Sequence, residues 1–182
     1  MDIIVRQAVD VGKLQAGQKI SPTRGTVDLD SLLNKCTWLL AGYPKACDVS
    51  LRRDAARVSR HVVSDGEWLW EILMNFLTNA CKYTAAGHIA LTITSVTRFL
   101  STDDLQSRAT IAEVSASGGA ASRTDQDRPT RTWLRVECAD SGIGVPLAQR
   151  DALFQPFGTL QDRTLHGTGI GLFNVQHRAG KG

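Results

Sequence analysis

Two asparagines stand four residues apart in the stretch NFLTNACKYT, which runs from Asn75 to Thr84 and ends with a lysine and a tyrosine before its last threonine. Asparagine is a middling helix former, and its side-chain amide needs polar partners. At about 100° per residue, Glu71 and Lys82 fall on the same helix flank as Asn75 and Asn79. A polar row beside an apolar stripe indicates side chains that contact a ligand or a second polar surface.

Two glycine-rich stretches carry the other candidate chemistry, DSGIG at Asp140–Gly144 and HGTGIGL at His166–Leu172. A carboxylate at a strand end, such as Asp140, can accept a hydrogen bond from an exocyclic amine like that of adenine. Gly142 and Gly144 would let the backbone approach the ring. The second stretch precedes a helix start, where backbone N–H groups suit phosphates. Taken alone, the first stretch is equally compatible with a plain turn and the second with a hinge.

The common phosphate-binding motifs do not fit this sequence. A Walker loop, GxxxxGK[ST], is absent, and a dinucleotide fingerprint needs GxGxxG early in a βαβ unit. Here Gly167, Gly169 and Gly171 are spaced GxGxG near the last residues of the sequence. The HRD and DFG loops of protein kinases are also missing. A nucleotide site in this chain therefore belongs to another fold.

Composition is that of a soluble globular protein, with 42% hydrophobic and 21% charged residues in 182. The net charge of +3 comes from scattered basic residues, so no nucleic-acid surface is expected. Four cysteines without a CxxC pair argue against a zinc site and a disulfide framework, and favour a reduced, cytoplasmic setting. No apolar run approaches the roughly 20 residues that span a bilayer, so no membrane segment is expected in this chain, whatever anchors a parent protein.

Apolar spacing predicts several helices. They run from Ile3 to Leu14, after Asp28, after Ser64 or Asp65, from Pro146 to Leu153 and from Ile170 to Ala179. The strongest of them follows Asp65, because its apolar residues keep helical spacing over three turns. That stripe consists of Leu69, Ile72, Leu73, Phe76, Leu77 and Ala80.

Alternating residues predict strands at His88–Val96 and Thr132–Asp140. Two shorter runs, Val49–Arg53 and Arg60–Val63, predict a hairpin. Between the long strands, residues 98–131 are rich in small and polar residues and have no lasting period. They are expected to form a mobile surface insertion, since loops of this length are uncommon inside a compact core.

Four stretches resemble motifs of the histidine-kinase ATP-binding domain, and they occur in the same order as in that family. Asn75–Thr84 resembles its N box, Asp140–Gly144 its G1 box, Leu153–Phe157 its F box and Gly167–Leu172 its G2 box. Residues 1–25 also resemble the end of the second dimerisation helix and the linker that follows it.

The resemblance implies an α/β sandwich of the Bergerat type, with a mixed, mostly antiparallel sheet covered on one face by helices. Residues 26–182 would form the ATP-binding domain, interrupted by the insertion at 98–131. Family members continue with a final pair of strands beyond the G2 helix, so the sequence is expected to be truncated at both ends.

The resemblance also implies residue roles. Asn79 would bind the Mg²⁺ that bridges the phosphates of ATP, with Asn75 beside it. Lys82 would meet phosphate, Tyr83 would lie along the adenine, and Asp140 would accept from its amine. Phe154 and Phe157 would anchor a lid over residues 158–166. The implied nucleotide contacts are Asn79, Lys82, Tyr83, Asp140, Gly142, Gly144, Phe157, Gly167, Thr168, Gly169, Gly171 and Leu172, with Asn75 and Lys82 as the catalytic residues.

Asn75 separates two branches of the wider superfamily. Gyrase, mismatch-repair and chaperone ATPases place a glutamate four residues before the metal-binding asparagine, where it activates water as a general base. An amide cannot accept a proton in that role, so Asn75 argues against hydrolysis.

The sequence thus predicts a sensor-kinase catalytic domain that transfers the γ-phosphoryl group of Mg-ATP to a histidine. No histidine of this chain lies in a phosphoacceptor motif. The acceptor is therefore expected on a separate dimerisation domain of the parent kinase, itself a homodimer, with a response-regulator receiver downstream. A nucleotide-binding regulatory module without phosphotransfer is the alternative, and a hydrolysing ATPase of the gyrase and chaperone type is a further one.

Overall fold

The computed structural model describes residues 3–18, 20–42, 46–99, 130–156 and 169–179. The described helices are α1 (Ile3–Gln15), α2 (Leu29–Leu40), α3 (Gly66–Tyr83) and α4 (Gly171–Ala179). The described strands are β1 (Gly25–Asp28), β2 (Ala46–Arg53), β3 (His61–Ser64), β4 (Ala86–Phe99) and β5 (Thr130–Asp140). None of these helices has both the length and the apolar character needed to cross a bilayer.

The two predicted helix caps are confirmed. Asp28 Oδ1 accepts hydrogen bonds from the backbone N–H of Asp30 at 3.0 Å and of Ser31 at 3.1 Å, at the start of α2. Asp65 Oδ1 accepts from Trp68 N at 2.9 Å, at the start of α3. Each carboxylate satisfies N–H groups that have no partner within the first turn of its helix. Where a helix was expected from Pro146 to Leu153, the structure has only a 3-10 turn at 147–149 and further turns.

A three-stranded sheet has the order β2-β4-β5. β2 runs parallel to β4, from the pair Ala46 and Ala86 to the pair Arg53 and Ile93, and α3 lies in the connection between them. β4 and β5 are antiparallel, since His88 bonds to Ser141 and Thr97 to Thr132. The alternate residues Ile89, Leu91 and Ile93 of β4 are fully buried, as expected for a strand with one face against helices.

The predicted hairpin is wrong. β3 pairs antiparallel with β1, from Gly25 opposite Ser64 to Asp28 opposite His61, while β2 pairs with β4. The sequence predicted no strand at β1, which ends at the Asp28 cap of α2. Alternation in a short strand indicates which face is buried, but it does not specify the partner strand.

The apolar face of α3 differs in part from the predicted stripe. Leu69, Leu73, Leu77 and Ala80 are buried as expected. Ile72 and Phe76 are only half-buried, whereas Met74 and Glu71 are buried. The physical reason is that α4 also packs against α3, with Arg178 bonded to Glu71, so burial extends beyond the apolar stripe.

The chain divides into two compact units. The first comprises Met1–Ile93 and Val136–Gly182, and it contains every residue of the candidate site. The second comprises Thr94–Arg135. Within the second unit, the hydroxyls of Thr97 and Thr132 lie 3.0 Å apart. Most of the predicted insertion at 98–131 lies outside the described residues.

Candidate functional site

Helix α3 carries the polar row that the sequence predicted. Asn75, Asn79, Lys82 and the adjacent Tyr83 are half-buried. Residues 75 and 83 are separated by about 12 Å along the helix axis, at 1.5 Å per residue. The row can therefore contact two ends of an elongated ligand.

The first end is a contact between α3 and α4. A Cβ atom built on Gly171 would lie 2.5 Å from Asn75 Oδ1, closer than real carbon atoms approach. Glycine lets α4 begin this close to the asparagine without displacing the Asn75 side chain. The contact brings together two motifs that are 96 residues apart in the sequence.

At the second end, the turn after β5 packs against the end of α3. Asp140 Oδ1 accepts from Gly142 N at 2.9 Å and from the Thr84 hydroxyl at 3.4 Å. Ile143 N donates to the Tyr83 carbonyl at 3.2 Å. A Cβ on Gly142 would collide with that same carbonyl, so glycine is required at this close approach. Among the described residues, Asp140 Oδ2 has no hydrogen-bond partner, and this oxygen can accept from an amine of a ligand.

Ser141 joins this turn to β4. Its backbone N–H donates to the His88 carbonyl at 3.1 Å, and its hydroxyl accepts from His88 N at 2.9 Å. Gly87 has a φ of +117° and faces the Ser141 side chain, so a larger residue could not stand there. Sequence reasoning missed Ser141 and Thr84 as supports of Asp140. Their signal was their position beside the glycines and at the helix end.

Burial shifts two ionisable groups of the site. It lowers the pKa of Lys82 from its ordinary value, and the ammonium lies 5.6 Å from the centre of the Tyr83 ring. Burial also raises the pKa of the Cys138 thiol to about 11, with smaller effects from Asp140 and Cys81. The thiol therefore stays neutral at physiological pH, while an anionic ligand beside Lys82 would restore the stability of its charged form.

A buried charged cluster lies behind the first end. The guanidinium of Arg178 on α4 bonds to the carboxylates of Glu71 on α3 and of Asp10 on α1. Glu71, one turn before Asn75 on the polar flank of α3, could be a surface carboxylate or lie behind the ligand contacts, and its exposed fraction of 2% excludes the surface. No local motif indicated Arg178 or Asp10.

The remaining predicted residues divide into three groups. Gly144 and Gly169 have left-handed φ values of +68° and +64°, a conformation that favours glycine. Leu172 is half-buried in the first turn of α4, and Phe154 is 40% exposed. Phe157, Gly167, Thr168 and the predicted lid, residues 158–166, lie outside the described residues.

The donor set fits an ion held mostly by a ligand and water. No group of three or more His, Cys, Asp or Glu side chains in the described ranges could hold a metal ion. Asn75 and Asn79 instead offer amide oxygens on one flank of α3. Mg²⁺ is typically bound by one or two protein oxygens together with substrate phosphates and waters. These residues therefore suit Mg²⁺ that arrives with a nucleotide.

Comparison with known proteins decides the family. The family model described as "Histidine kinase-, DNA gyrase B-, and HSP90-like ATPase" matches residues 64–181. The chain belongs to this family. The match covers the four stretches that resemble the N, G1, F and G2 boxes, so the predicted ATP-binding class is confirmed.

Similar curated members of this ATPase family are histidine kinases. Histidine kinase 3 of Arabidopsis thaliana is 26% identical over 190 residues, covering 93% of this chain and 18% of that protein. The signal transduction histidine-protein kinase BarA of Escherichia coli is 27% identical over 178 residues, covering 95% of this chain and 16% of BarA. The chain thus spans a fifth or less of the length of these relatives.

Solved structures agree with the predicted fold class. Full-length ShkA, in complex with AMPPNP, matches with a TM-score of 0.58 and 24% identity over 91% of this chain and 28% of ShkA. The histidine kinase AdeS of Acinetobacter baumannii matches with a TM-score of 0.54 and 15% identity over 95% of this chain and 63% of AdeS. The expected α/β architecture of the Bergerat type is confirmed.

Proposed function

We propose that this chain binds Mg-ATP and transfers its γ-phosphoryl group to a histidine on a separate dimerisation domain. The main observation that supports this proposal is that α3 contacts both glycine motifs. Gly171 lies against Asn75, and the turn at Gly142 lies against Tyr83. Two distant motifs then face one polar helix flank. The histidine kinases among its relatives support the choice of reaction.

The adenine end lies at the Asp140 turn in this proposal. Asp140 Oδ2 accepts from the exocyclic amine, because Oδ1 is already bonded to Gly142 and Thr84. Tyr83 lies along the base, and Gly144 leaves room for it, since a Cβ there would meet nothing within 4 Å. A carboxylate acceptor at this position selects a base that presents an amine there.

The phosphate end lies towards Asn75 and α4. Asn79 would bind Mg²⁺, which neutralises phosphate charge as the transfer proceeds. Lys82 binds a phosphate oxygen, and the backbone N–H groups at the start of α4, near Gly169 and Gly171, face the phosphates. Phe157, Gly167, Thr168 and Leu172 complete the proposed contacts. The bond between the γ-phosphorus and its bridging oxygen breaks as that phosphorus bonds to an unprotonated imidazole nitrogen. ADP is the leaving group, and the other imidazole nitrogen releases its proton to water.

Asn75 fits phosphotransfer better than hydrolysis. The amide cannot take a proton from water, so the chain lacks at this position the base that the hydrolysing branch uses. Positioning and charge neutralisation suffice for a phosphoryl transfer whose nucleophile is a neutral imidazole nitrogen.

In this proposal, residues 1–25 form the end of a dimerisation helix and its linker. Residues 26–182 form the ATP-binding domain. A receiver domain is the proposed next acceptor of the phosphoryl group. Similar proteins named hybrid signal transduction histidine kinases support a two-component setting.

The test mixes the chain with radiolabelled Mg-ATP and the dimerisation domain of its parent kinase. We expect acid-labile, base-stable phosphate on the acceptor histidine, and no label with Asn79→Ala or without Mg²⁺. Nucleotide binding without labelled acceptor would identify a regulatory module instead. Release of inorganic phosphate without any acceptor would favour a hydrolysing ATPase and contradict the role assigned to Asn75.

A further inference from the structure

Three helices meet at one buried guanidinium. Arg178 of α4 contacts Glu71 of α3 and Asp10 of α1, and the exposed fractions of these residues are 6%, 2% and 7%. One positive charge thus serves two carboxylates away from water. Removing one partner of a buried ion pair is strongly destabilising, because the other charge stays buried without compensation.

The two carboxylates tie Arg178 to different parts of the molecule. Glu71 lies one helical turn before Asn75 on α3, whereas Asp10 lies on α1. Arg178 itself lies seven residues after Gly171, or about 10 Å along α4. The pair formed by Glu71 and Arg178 therefore joins the same two helices as the contact between Asn75 and Gly171, two turns further along α4.

The contact at Gly171 leaves little room for movement. The space beside Asn75 Oδ1 is too small for a single added carbon atom. A tilt or slide of α4 on α3 would either open this contact or force a collision. A second fixed point on the same helix pair prevents both motions, since two contacts define the position of a rod better than one.

We propose that the Glu71–Arg178 ion pair is a positioning pair for the nucleotide site, holding the start of α4 against Asn75. This inference rests on the proposed function, because the site it serves is the proposed phosphate end. Asp10 uses the same guanidinium to fix α1. Apolar packing of Val11 against Ile170 and Phe173 supports that second attachment.

The matched comparison is Glu71→Gln against Asp10→Asn. Each removes one carboxylate charge from the same arginine, but only the first acts on α3. We expect Glu71→Gln to weaken Mg-AMPPNP binding about tenfold, since small displacements of ligand-positioning groups have large effects. Asp10→Asn should change the dissociation constant by less than about twofold. Titrations are made where circular dichroism shows every variant folded. Equal weakening by both variants, or by neither, would overturn the inference.

A stability control separates positioning from general loosening. Asp30→Asn removes the partner of Arg53, whose Nε lies 2.7 Å from Asp30 Oδ1 on the α2 side of the molecule. It should lower the melting temperature without changing the dissociation constant.

If Glu71→Gln fails to fold, Arg178→Lys replaces it, since lysine keeps the charge but loses the forked geometry. Its affinity should then lie below that of Asp10→Asn, and affinity equal to that of Asp10→Asn would overturn the inference.

Hydrogen exchange without nucleotide tests the positioning independently of the proposed function. The backbone N–H of Asn174 donates to the Ile170 carbonyl at 3.0 Å, at the start of α4. Its exchange should be faster in Glu71→Gln than in wild type and unchanged in Asp10→Asn. Wild-type protein that binds no Mg-AMPPNP would overturn the proposed function alone. Unchanged exchange in Glu71→Gln would overturn the positioning pair.

Discussion

The two ends of the polar row on α3 are built from different chemistry. The Asp140 end is held by hydrogen bonds within the turn and from the turn to the end of α3 and to β4, and much of it is exposed. The Asn75 end is held by one glycine contact and, behind it, by a buried cluster of three charges from three helices.

Because of this difference, we expect the two ends to respond differently to substitution. A typical intramolecular hydrogen bond contributes about 1 kcal/mol net, and one to a charged group about 1.5–3 kcal/mol, so the Asp140 end can lose one and remain formed. Removing one charge from a buried cluster strongly destabilises the cluster, because another charge then stays buried without compensation. Changes at the Asp140 end should therefore affect recognition more than stability, while changes at the Asn75 end should affect both.

Gly171→Ala should have the largest effect. The added carbon would collide with Asn75 Oδ1, so the Asn75 side chain must move away or α3 and α4 must separate. We expect nucleotide binding to weaken by about 100-fold or more, since displacements near 1 Å have effects of that order. Isothermal titration with Mg-AMPPNP measures it.

Gly12→Ala on α1 is the matched control. No atom lies within 4 Å of the added carbon there, and glycine inside a helix is less favourable than alanine by roughly 0.5–1 kcal/mol. This variant should be slightly more stable and should bind normally. Normal binding by Gly171→Ala would contradict the close contact of α4 with Asn75.

Asp140→Asn should lower affinity about 10- to 100-fold with little loss of stability. Oδ1 still accepts from Gly142 and Thr84, but an amide N–H₂ replaces the oxygen that would face the amine. Titration and thermal unfolding together measure the two effects. Asp151→Asn, at an exposed turn, is the control. Affinity equal to wild type would place the adenine elsewhere.

Thr84→Val should have a moderate effect at the same end. The side chain is buried, and its hydroxyl donates to Asp140 Oδ1. Losing it should reduce the free energy of unfolding by about 1 kcal/mol and weaken binding only a few-fold. Thr84→Ser keeps the hydroxyl and should bind like wild type. A larger loss than that of Asp140→Asn would reverse the assigned order of importance.

The smallest effect is expected from an exposed ion pair, which contrasts with the buried cluster. Hydrogen bonds from Arg60 and Ser31 hold the pKa of Asp28 well below its ordinary value of 3.8. A lowered folded-state pKa stabilises the protein above pH 3.8, and this contribution is lost as pH falls below that value. Asp28→Asn should flatten the acid limb of the stability curve, measured by urea unfolding from about pH 5 to 2. An unchanged acid limb would exclude Asp28 from acid unfolding.

Part of the Asp140 end was predictable because Asp140, Gly142 and Gly144 are neighbours in sequence. A carboxylate, two glycines and a strand end occur within five residues. The bond from Thr84, 56 positions away, was not predictable from that pattern. Local chemistry of this kind needs only the correct turn to form, and the glycines make that turn accessible.

Local sequence was enough to predict the helix starts at Asp28 and Asp65, the long helix α3 and the alternation of β4. Capping and periodicity depend only on residues within a few positions. Only the tertiary structure decided that β3 pairs with β1, and that Arg178 lies between carboxylates 107 and 168 positions away. A periodic pattern specifies which face is buried, but it carries no information about what covers that face. Partners so distant in sequence become neighbours only when the helices that carry them pack together.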